Sequence, residues 1–284
     1  MPAPQRLSIV VPVYRGERFL GRLVEEIDGL RALLHQAASP IAFERAIFVD
    51  DAAVDGSARL LDGLAAKRPW IEIIHLERNS GQHAATAAGF ARSQADWIAS
   101  LDEDLQHRPQ SVLELLAAAA SASADLAYAA PLGAVHRTLY RDFSSRAAKR
   151  CIGRLTGNSN VRHFNSFRLV RGAVARAAAE LLAADTYLDI ALSWCTGRVV
   201  AVPVALIDRR DHAGEKSGYD FLSLARHAQR MIVSAWSGPP PDGARGRASA
   251  TRLRPVIDRS RDPELHRFLA DLPRSAGETA GGAC

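Results

Sequence analysis

The sequence predicts an α/β protein: a mainly parallel, doubly wound sheet flanked by helices. Two observations carry this. Short apolar runs alternate with segments of helical period through roughly the first 120 residues, the pattern of successive βα units. Polar residues gather where each apolar run stops, which is the strand edge where open α/β sheets place their ligands.

The elements follow in order. Leu7 to Val13 reads as a buried strand ending at Pro12-Val13-Tyr14. A helix from about Glu17 to Gln36 carries Phe19, Leu20, Leu23, Ile27, Leu30 and Leu34 at helical spacing. Ala46 to Val49 is the second strand, reaching Asp50-Asp51 and turning through Asp55-Gly56-Ser57 into a helix with Leu60, Leu61 and Leu64. A carboxylate at such a tip suits a base or ribose, while Asp55 and Ser57 also read as helix caps. Ile71 to Leu76 is the third strand, followed by Arg78-Asn79-Ser80-Gly81-Gln82-His83 and an alanine-rich helix containing Gly89. Gly81 lets the backbone approach a ligand, and Arg78 suits phosphate or base. Trp97 to Leu101 is the fourth strand.

That fourth strand delivers Asp102-Glu103-Asp104-Leu105-Gln106-His107 to the sheet's edge. Asp102, Asp104 and Gln106 lie at alternate positions, so in an extended or turning segment their oxygens can converge on one hard cation such as Mg²⁺ or Mn²⁺. The plainer reading is an acidic loop capping the next helix, with Pro109 in its first turn. No G-x-G-x-x-G follows the first strand and no G-x-x-x-x-G-K-[ST] occurs, which argues against a dinucleotide dehydrogenase or a P-loop enzyme.

Beyond a fifth strand at Ala124 to Ala129 the pattern changes. Arg137 to Leu155 is a basic amphipathic stretch, suited either to a membrane interface or to core packing with a solvated basic face. Phe164 to Val170 reads as a strand, Ala173 to Leu182 and Tyr187 to Cys195 as helices, and Val199 to Ile207 as a late strand. Arg209 to Tyr219 is charged and glycine-containing, a lid over an anionic ligand or a surface loop. A helix from Phe221 to Trp236 follows.

The chain has 284 residues, 48% hydrophobic and 24% charged, enough to bury a full core. Its net charge of +5 suits a phosphate-rich partner, an anionic ligand or a membrane surface, or is only a solvated basic face. Cys151, Cys195 and Cys284 form no C-x-x-C pattern, so neither a disulfide framework nor a zinc site is expected, and the compartment reads as reducing. The N-terminus lacks the apolar core of a secretory signal, and no apolar run reaches the ~18 residues that a spanning helix needs. The expected domains are residues 1–236 and a Pro/Gly/Arg-rich, partly disordered tail over residues 237–284.

The ordered set Val11-Pro12-Val13-Tyr14, Val49-Asp50-Asp51 with Asp55-Gly56-Ser57, Arg78 to His83, Asp102 to Gln106, Ser166-Phe167-Arg168, and Gly214-Glu215-Lys216-Ser217 after Arg210 resembles the family 2 glycosyltransferases. The likeness is to the branch with dolichyl-phosphate mannose synthases and bacterial polyprenyl-phosphate glycosyltransferases, and it spans residues 7 to about 236. It implies the GT-A fold and an inverting, metal-dependent sugar transfer from a nucleotide-diphosphate sugar. By resemblance, Pro12, Tyr14, Asp51, Arg78 and Gly81 belong to the nucleotide, and Asp102 to ribose or metal. Asp104 and Gln106 belong to Mg²⁺ or Mn²⁺. Arg210 and Lys216 belong to a loop that closes on the diphosphate, and Ser166, Arg168 and Ser217 to the acceptor or lid.

Two departures are specific to this chain. Ala52-Ala53 stands where the family usually has Gly-Ser, and Ser166 stands where many lipid-phosphate members have Asp before Phe-Arg. Asp185, Asp189 and His163 are candidate replacements for that carboxylate, each also readable as a helix cap or surface residue. The leading expectation is polyprenyl phosphate as acceptor, with the enzyme cytoplasmic and peripheral at the inner face of the cell membrane or held there by a membrane-anchoring partner. A hydroxyl acceptor on a small metabolite or glycan is the alternative. A non-catalytic nucleic-acid or membrane binder using the basic tail is the third reading, with no specific nucleic acid expected for the transferase.

Overall fold

The computed structural model describes residues 3–36, 39–132, 153–154, 157–182, 186–205, 229 and 231–238. The first half repeats one unit: β1 (Gln5–Val13), α1 (Leu20–Gln36), β2 (Ile41–Asp50), α2 (Ser57–Ala65), β3 (Ile71–His75), α3 (Gln82–Arg92) and β4 (Trp97–Ser100). There follow α4 (Val112–Ser121), β5 (Leu126–Leu132), β6 (Arg168–Arg171), α5 (Gly172–Glu180), α6 (Leu188–Cys195) and β7 (Val199–Ala205). The seven strands form one sheet in the order β3-β2-β1-β4-β6-β5-β7. All neighbours run parallel except β6, which is antiparallel to both β4 and β5.

Both faces of the sheet are covered, and β1 shows how. Leu7, Ile9, Val11 and Val13 enter one core with Leu20, Leu23 and Ile27 of α1, whereas Val10 enters the other with Ala85 and Phe90 of α3. Successive side chains of a strand point to opposite faces, so a strand buried on both reads as an unbroken apolar run. The helix α3 comes close to β1 at Gly89, where a Cβ would stand 2.3 Å from Cγ1 of Val10.

The antiparallel β6 matters most for the site. Four parallel strands, β1 to β4, end at one edge, and because β6 runs the other way it begins there: Ser100 pairs with Arg168 and Trp97 with Arg171. The strand expected over Phe164 to Val170 is therefore shorter and later. Residues before Arg168 form a 3-10 turn at Ser159–His163 and a loop. In that loop Asn165 donates to the Ala129 carbonyl (2.9 Å) and accepts from the Phe167 N–H (3.1 Å), a side-chain arrangement that competes with strand pairing. Conversely β2 starts earlier than expected, at Ile41, pairing beside the start of β1.

Most of the basic stretch at Arg137 to Leu155, the expected lid with Arg210, Lys216 and Ser217, most of the last helix, Asp185 and all of the tail beyond Gly238 lie outside the described residues. No helix among the described residues is long and apolar enough to cross a membrane.

Candidate active site

The acidic loop leaves β4 at the edge where β1 to β3 also end. Leu101 still donates to the Val10 carbonyl (3.2 Å), which carries strand pairing one residue further and delivers Asp102 at the rim. Both oxygens of Asp102 are engaged: Oδ1 accepts from Nε2 of Gln82 and Oδ2 from the Ser166 hydroxyl, each at 2.5 Å. Ser100 in turn donates its hydroxyl to the Ser166 carbonyl (2.7 Å), so β4 fixes the residue that meets Asp102. Burial pushes the Asp102 carboxyl above its usual range, opposed by the Ser166 hydrogen bond and reinforced by the negative charge of Asp104.

Asp104 is half-buried, and its Oδ1 accepts from the Gln106 N–H at 3.1 Å. Between them Leu105 sits at φ 59° with its side chain fully buried. A left-handed conformation costs a non-glycine residue roughly 1–2 kcal/mol. Burial of the Leu105 side chain offsets this cost and fixes the turn. The structure thus places Asp102 and Asp104 near one another, with Gln106 exposed at the same loop. Among the described residues, no group of three or more His, Cys, Asp or Glu is placed to hold a metal ion. His107, which the sequence reading passed over, is buried against Phe167 with ring centroids 4.7 Å apart. Burial lowers its basicity, which the charge of Asp104 partly restores.

The residues expected at the nucleotide line the neighbouring tips. Pro12 is half-buried near the end of β1, paired with Val49, and the Tyr14 ring is 36% exposed with the Arg15 guanidinium 5.5 Å from its centroid. Asp51 is buried, and its carboxylate accepts from the N–H groups of Ser80 (2.6 Å) and Gly81 (2.8 Å). It therefore ties the β3–α3 loop to the end of β2. Gly81 has φ 86°, a conformation that favours glycine, and Arg78 is exposed on the same loop. Ala52 occupies a left-handed φ of 52°, which gives a physical meaning to the Gly of the family pattern. Here the turn is held instead by Asp50, whose Oδ1 accepts from the Ala53 N–H (2.8 Å).

Glu103 and Gln82 are functional candidates that sequence reasoning missed. Glu103 accepts from the backbone N–H groups of Tyr14 (3.0 Å) and Arg15 (3.1 Å), and burial pushes its carboxyl up against those hydrogen bonds. The β1–α1 loop is also stitched to the start of α2. Gly16 donates to the Ser57 hydroxyl (3.0 Å), Glu17 donates to Asp55 (3.3 Å), and Gly56 donates back to Glu17 (2.9 Å). An acidic residue inside Asp-x-Asp and a glycine two residues past Tyr14 were the visible signals.

Behind the rim lies a buried polar network. Arg168 is 2% exposed, ion-paired to Asp189, and donates through Nε to the Ser100 hydroxyl (3.1 Å). Tyr128 donates to the same Asp189 oxygen at 2.7 Å, and burial pushes the Tyr128 hydroxyl well above its ordinary pKa. The structure thus brings Ser166 to Asp102 and puts Arg168 beneath them. Two open hollows of about 360 and 580 Å³ flank Trp70 instead, on the side where β1 and β2 begin. Their linings share no residue with the acidic rim.

Residues 8–172 match Glycosyl transferase family 2. The undecaprenyl-phosphate 4-deoxy-4-formamido-L-arabinose transferase of Klebsiella pneumoniae is 29% identical over 243 residues, 84% of this chain and 70% of the relative. The enzyme of the same description from Yersinia enterocolitica serotype O:8 is 31% identical over 241 residues, 83% of this chain and 69% of the relative. Among solved structures, glucosyl-3-phosphoglycerate synthase from Mycobacterium tuberculosis in complex with Mn²⁺ and UDP-glucose has a TM-score of 0.56 at 14% identity, covering 84% of this chain and 81% of that one. TarS from S. aureus in complex with UDP-GlcNAc has a TM-score of 0.53 at 16% identity, covering 93% and 71%. The fold shared with both is GT-A.

Proposed function

The chain belongs to glycosyl transferase family 2 and is a glycosyltransferase, and from that premise we propose that it moves a sugar from a nucleoside-diphosphate sugar to polyprenyl phosphate with inversion. The observation that carries the donor half is the Asp104 carboxylate, held at the sheet's rim beside an Asp102 whose two oxygens are already engaged. The acceptor half rests on the relatives, which are undecaprenyl-phosphate transferases.

An all-oxygen donor set, in which the negative charge of Asp104 adds to the cost of ionising the Asp102 carboxyl, fits a hard divalent cation, Mg²⁺ or Mn²⁺. Asp104 would hold it, with Asp102 and Gln106 beside it. When bound, such an ion neutralises the charge growing on the departing diphosphate. The Tyr14, Asp51 and Gly81 loops would bind the nucleoside, with Pro12 beneath and Arg78 at the phosphates. Arg210 and Lys216 would close over the diphosphate, with Ser217 in the same lid.

In the reaction, an acceptor oxygen bonds to the anomeric carbon while the bond to the diphosphate oxygen breaks and its electron pair leaves with the nucleotide. A hydroxyl acceptor needs a base to take its proton, and a phosphate acceptor arrives ionised. Ser166, standing where lipid-phosphate members carry Asp, favours the hydroxyl reading. Against it, Asp102 is occupied by two donors, and Asp189 is held by Arg168 and Tyr128. The phosphate reading is preferred because it is the acceptor that the relatives' names carry. A lipid-linked acceptor puts the work at a membrane surface, and we take the catalytic domain to run to Trp236, whose side chain is 68% exposed.

The test is a panel of UDP-, GDP- and TDP-sugars assayed with Mn²⁺, with and without undecaprenyl phosphate. Sugar should appear on the lipid with one donor class. Asp104→Ala should cut turnover by about 100-fold or more while the melting temperature holds. Turnover that survives chelation or Asp104→Ala overturns the metal assignment, and transfer that ignores the lipid phosphate overturns the acceptor.

A further inference from the structure

Glu103 lies between the two aspartates, yet its hydrogen bonds go elsewhere. Its two oxygens are divided between consecutive backbone donors of the β1–α1 loop, Oε2 to the Tyr14 N–H at 3.0 Å and Oε1 to the Arg15 N–H at 3.1 Å. Both contacts are charge-assisted, and a carboxylate spanning two adjacent amides fixes direction as well as distance. Gly16 completes the fit. A Cβ there would stand 2.5 Å from Oε2 of Glu103 and 3.1 Å from Cγ of Leu20. Its φ lies outside the left-handed region, so a side chain there would displace the Glu103 carboxylate rather than strain the backbone. From the other side, Ser57 and Asp55 accept from the N–H groups of Gly16 and Glu17.

We propose that Glu103 is a positioning residue for the nucleotide: its carboxylate locks the backbone of Tyr14 and Arg15, and with it the exposed Tyr14 ring, to the loop that carries Asp102 and Asp104. This rests on the transferase reading above. The base end and the phosphate end of the donor site then behave as one rigid body, ordered before the donor arrives. Ordering a loop in advance removes an entropic cost from binding, so loss of the clamp falls on donor affinity more than on the chemical step.

The experiment uses the full chain and the donor identified by the panel, with Glu103→Ala, Glu103→Asp, Glu103→Gln and Gly16→Ala. Glu103→Asp keeps the charge but is one methylene short, so it should behave like Glu103→Ala: KM for the nucleotide sugar rises about tenfold while kcat stays within about twofold. Glu103→Gln keeps one acceptor oxygen and turns an N–H₂ toward a donor, so it should fall between these and the parent. Gly16→Ala should mimic Glu103→Ala, and the double variant should be no worse than either, because both remove the same contact. Amide hydrogen exchange at Tyr14 and Arg15 should accelerate in the Ala and Asp variants. If Glu103→Ala does not fold, Glu103→Gln and Gly16→Ala carry the same comparison. Wild-type turnover with unchanged KM and unchanged exchange in the variants overturns this proposal alone. A wild-type chain that turns over no nucleotide sugar overturns the transferase reading as well.

Discussion

His75 ends β3 between two aspartates, with Nδ1 2.7 Å from Oδ2 of Asp50 and Nε2 3.1 Å from Oδ1 of Asp62 on α2. The hydrogen bond to Asp50 is the main reason that its pKa is raised above the ordinary 6.5, with Asp62 adding to it. A folded-state pKa above the unfolded one contributes stability that is fully present below the unfolded value and is lost as pH rises through the folded value. His75→Gln should therefore lower the melting temperature more at about pH 5.5 than at about pH 9, both far enough from the ordinary imidazole range to separate the two states. A gap that does not change with pH would show that the imidazolium adds nothing. Asp50 itself shows what residue types alone conceal. From sequence, Asp50 and Asp51 are an acidic tip awaiting a ligand. In the fold, one is tied to His75 and Ala53 and the other to Ser80 and Gly81, so both also build the rim. Partners that lie tens of residues away along the chain cannot be paired from local sequence, and the same is true of Glu103, whose residue type is visible but whose contacts with Tyr14 and Arg15 are not.

The helix α3 meets β1 through Gly89, and contact of this kind sets how deeply a helix can sit on its sheet. Gly89→Ala gains about 1 kcal/mol or less of helix propensity. It also drives a Cβ to 2.3 Å from Cγ1 of Val10, a buried β-branched side chain with little freedom to turn away. Overpacking of this kind typically costs about 1–3 kcal/mol, so a net loss is expected and should appear as a lower urea midpoint with an unchanged slope. An unchanged or higher midpoint would mean that the helix can lift off the strand without cost. At this scale the sequence was most legible where a mainly apolar run carries no charged residue, as from Leu7 to Val13 and from Trp97 to Leu101. It was least legible where polar residues interrupt: Glu44 and Arg45 cut the run of β2, which in the fold extends back to Ile41. The direction of β6 could not be read at all from four apolar or basic residues, since parallel and antiparallel pairing make the same demands on so short a segment.

At the scale of the whole molecule, the second half of the chain is joined to the first by charge as well as by apolar packing. Arg168 begins β6, Asp189 lies on α6, Tyr128 on β5 and Ser100 on β4, and all four meet in a buried network directly behind Asp102 and Ser166. Removing water from two charges costs several kcal/mol per ion, which their attraction and added hydrogen bonds repay only while both partners remain. Deleting one leaves an uncompensated buried charge. Asp189→Ala and Arg168→Met should therefore each destabilise the protein by about 3–5 kcal/mol, with Asp189→Ala also leaving the Tyr128 hydroxyl without its acceptor. The double variant should recover much of that loss, because it removes both charges together. A thermodynamic cycle from urea unfolding measures the difference, and single losses that simply add would show that the two side chains are not coupled. Because Arg168 also donates to Ser100, which orients Ser166, a double variant that regains stability should still bind the donor more weakly than the parent. Recovery of both stability and donor affinity would separate the network from the site and leave it a purely structural joint.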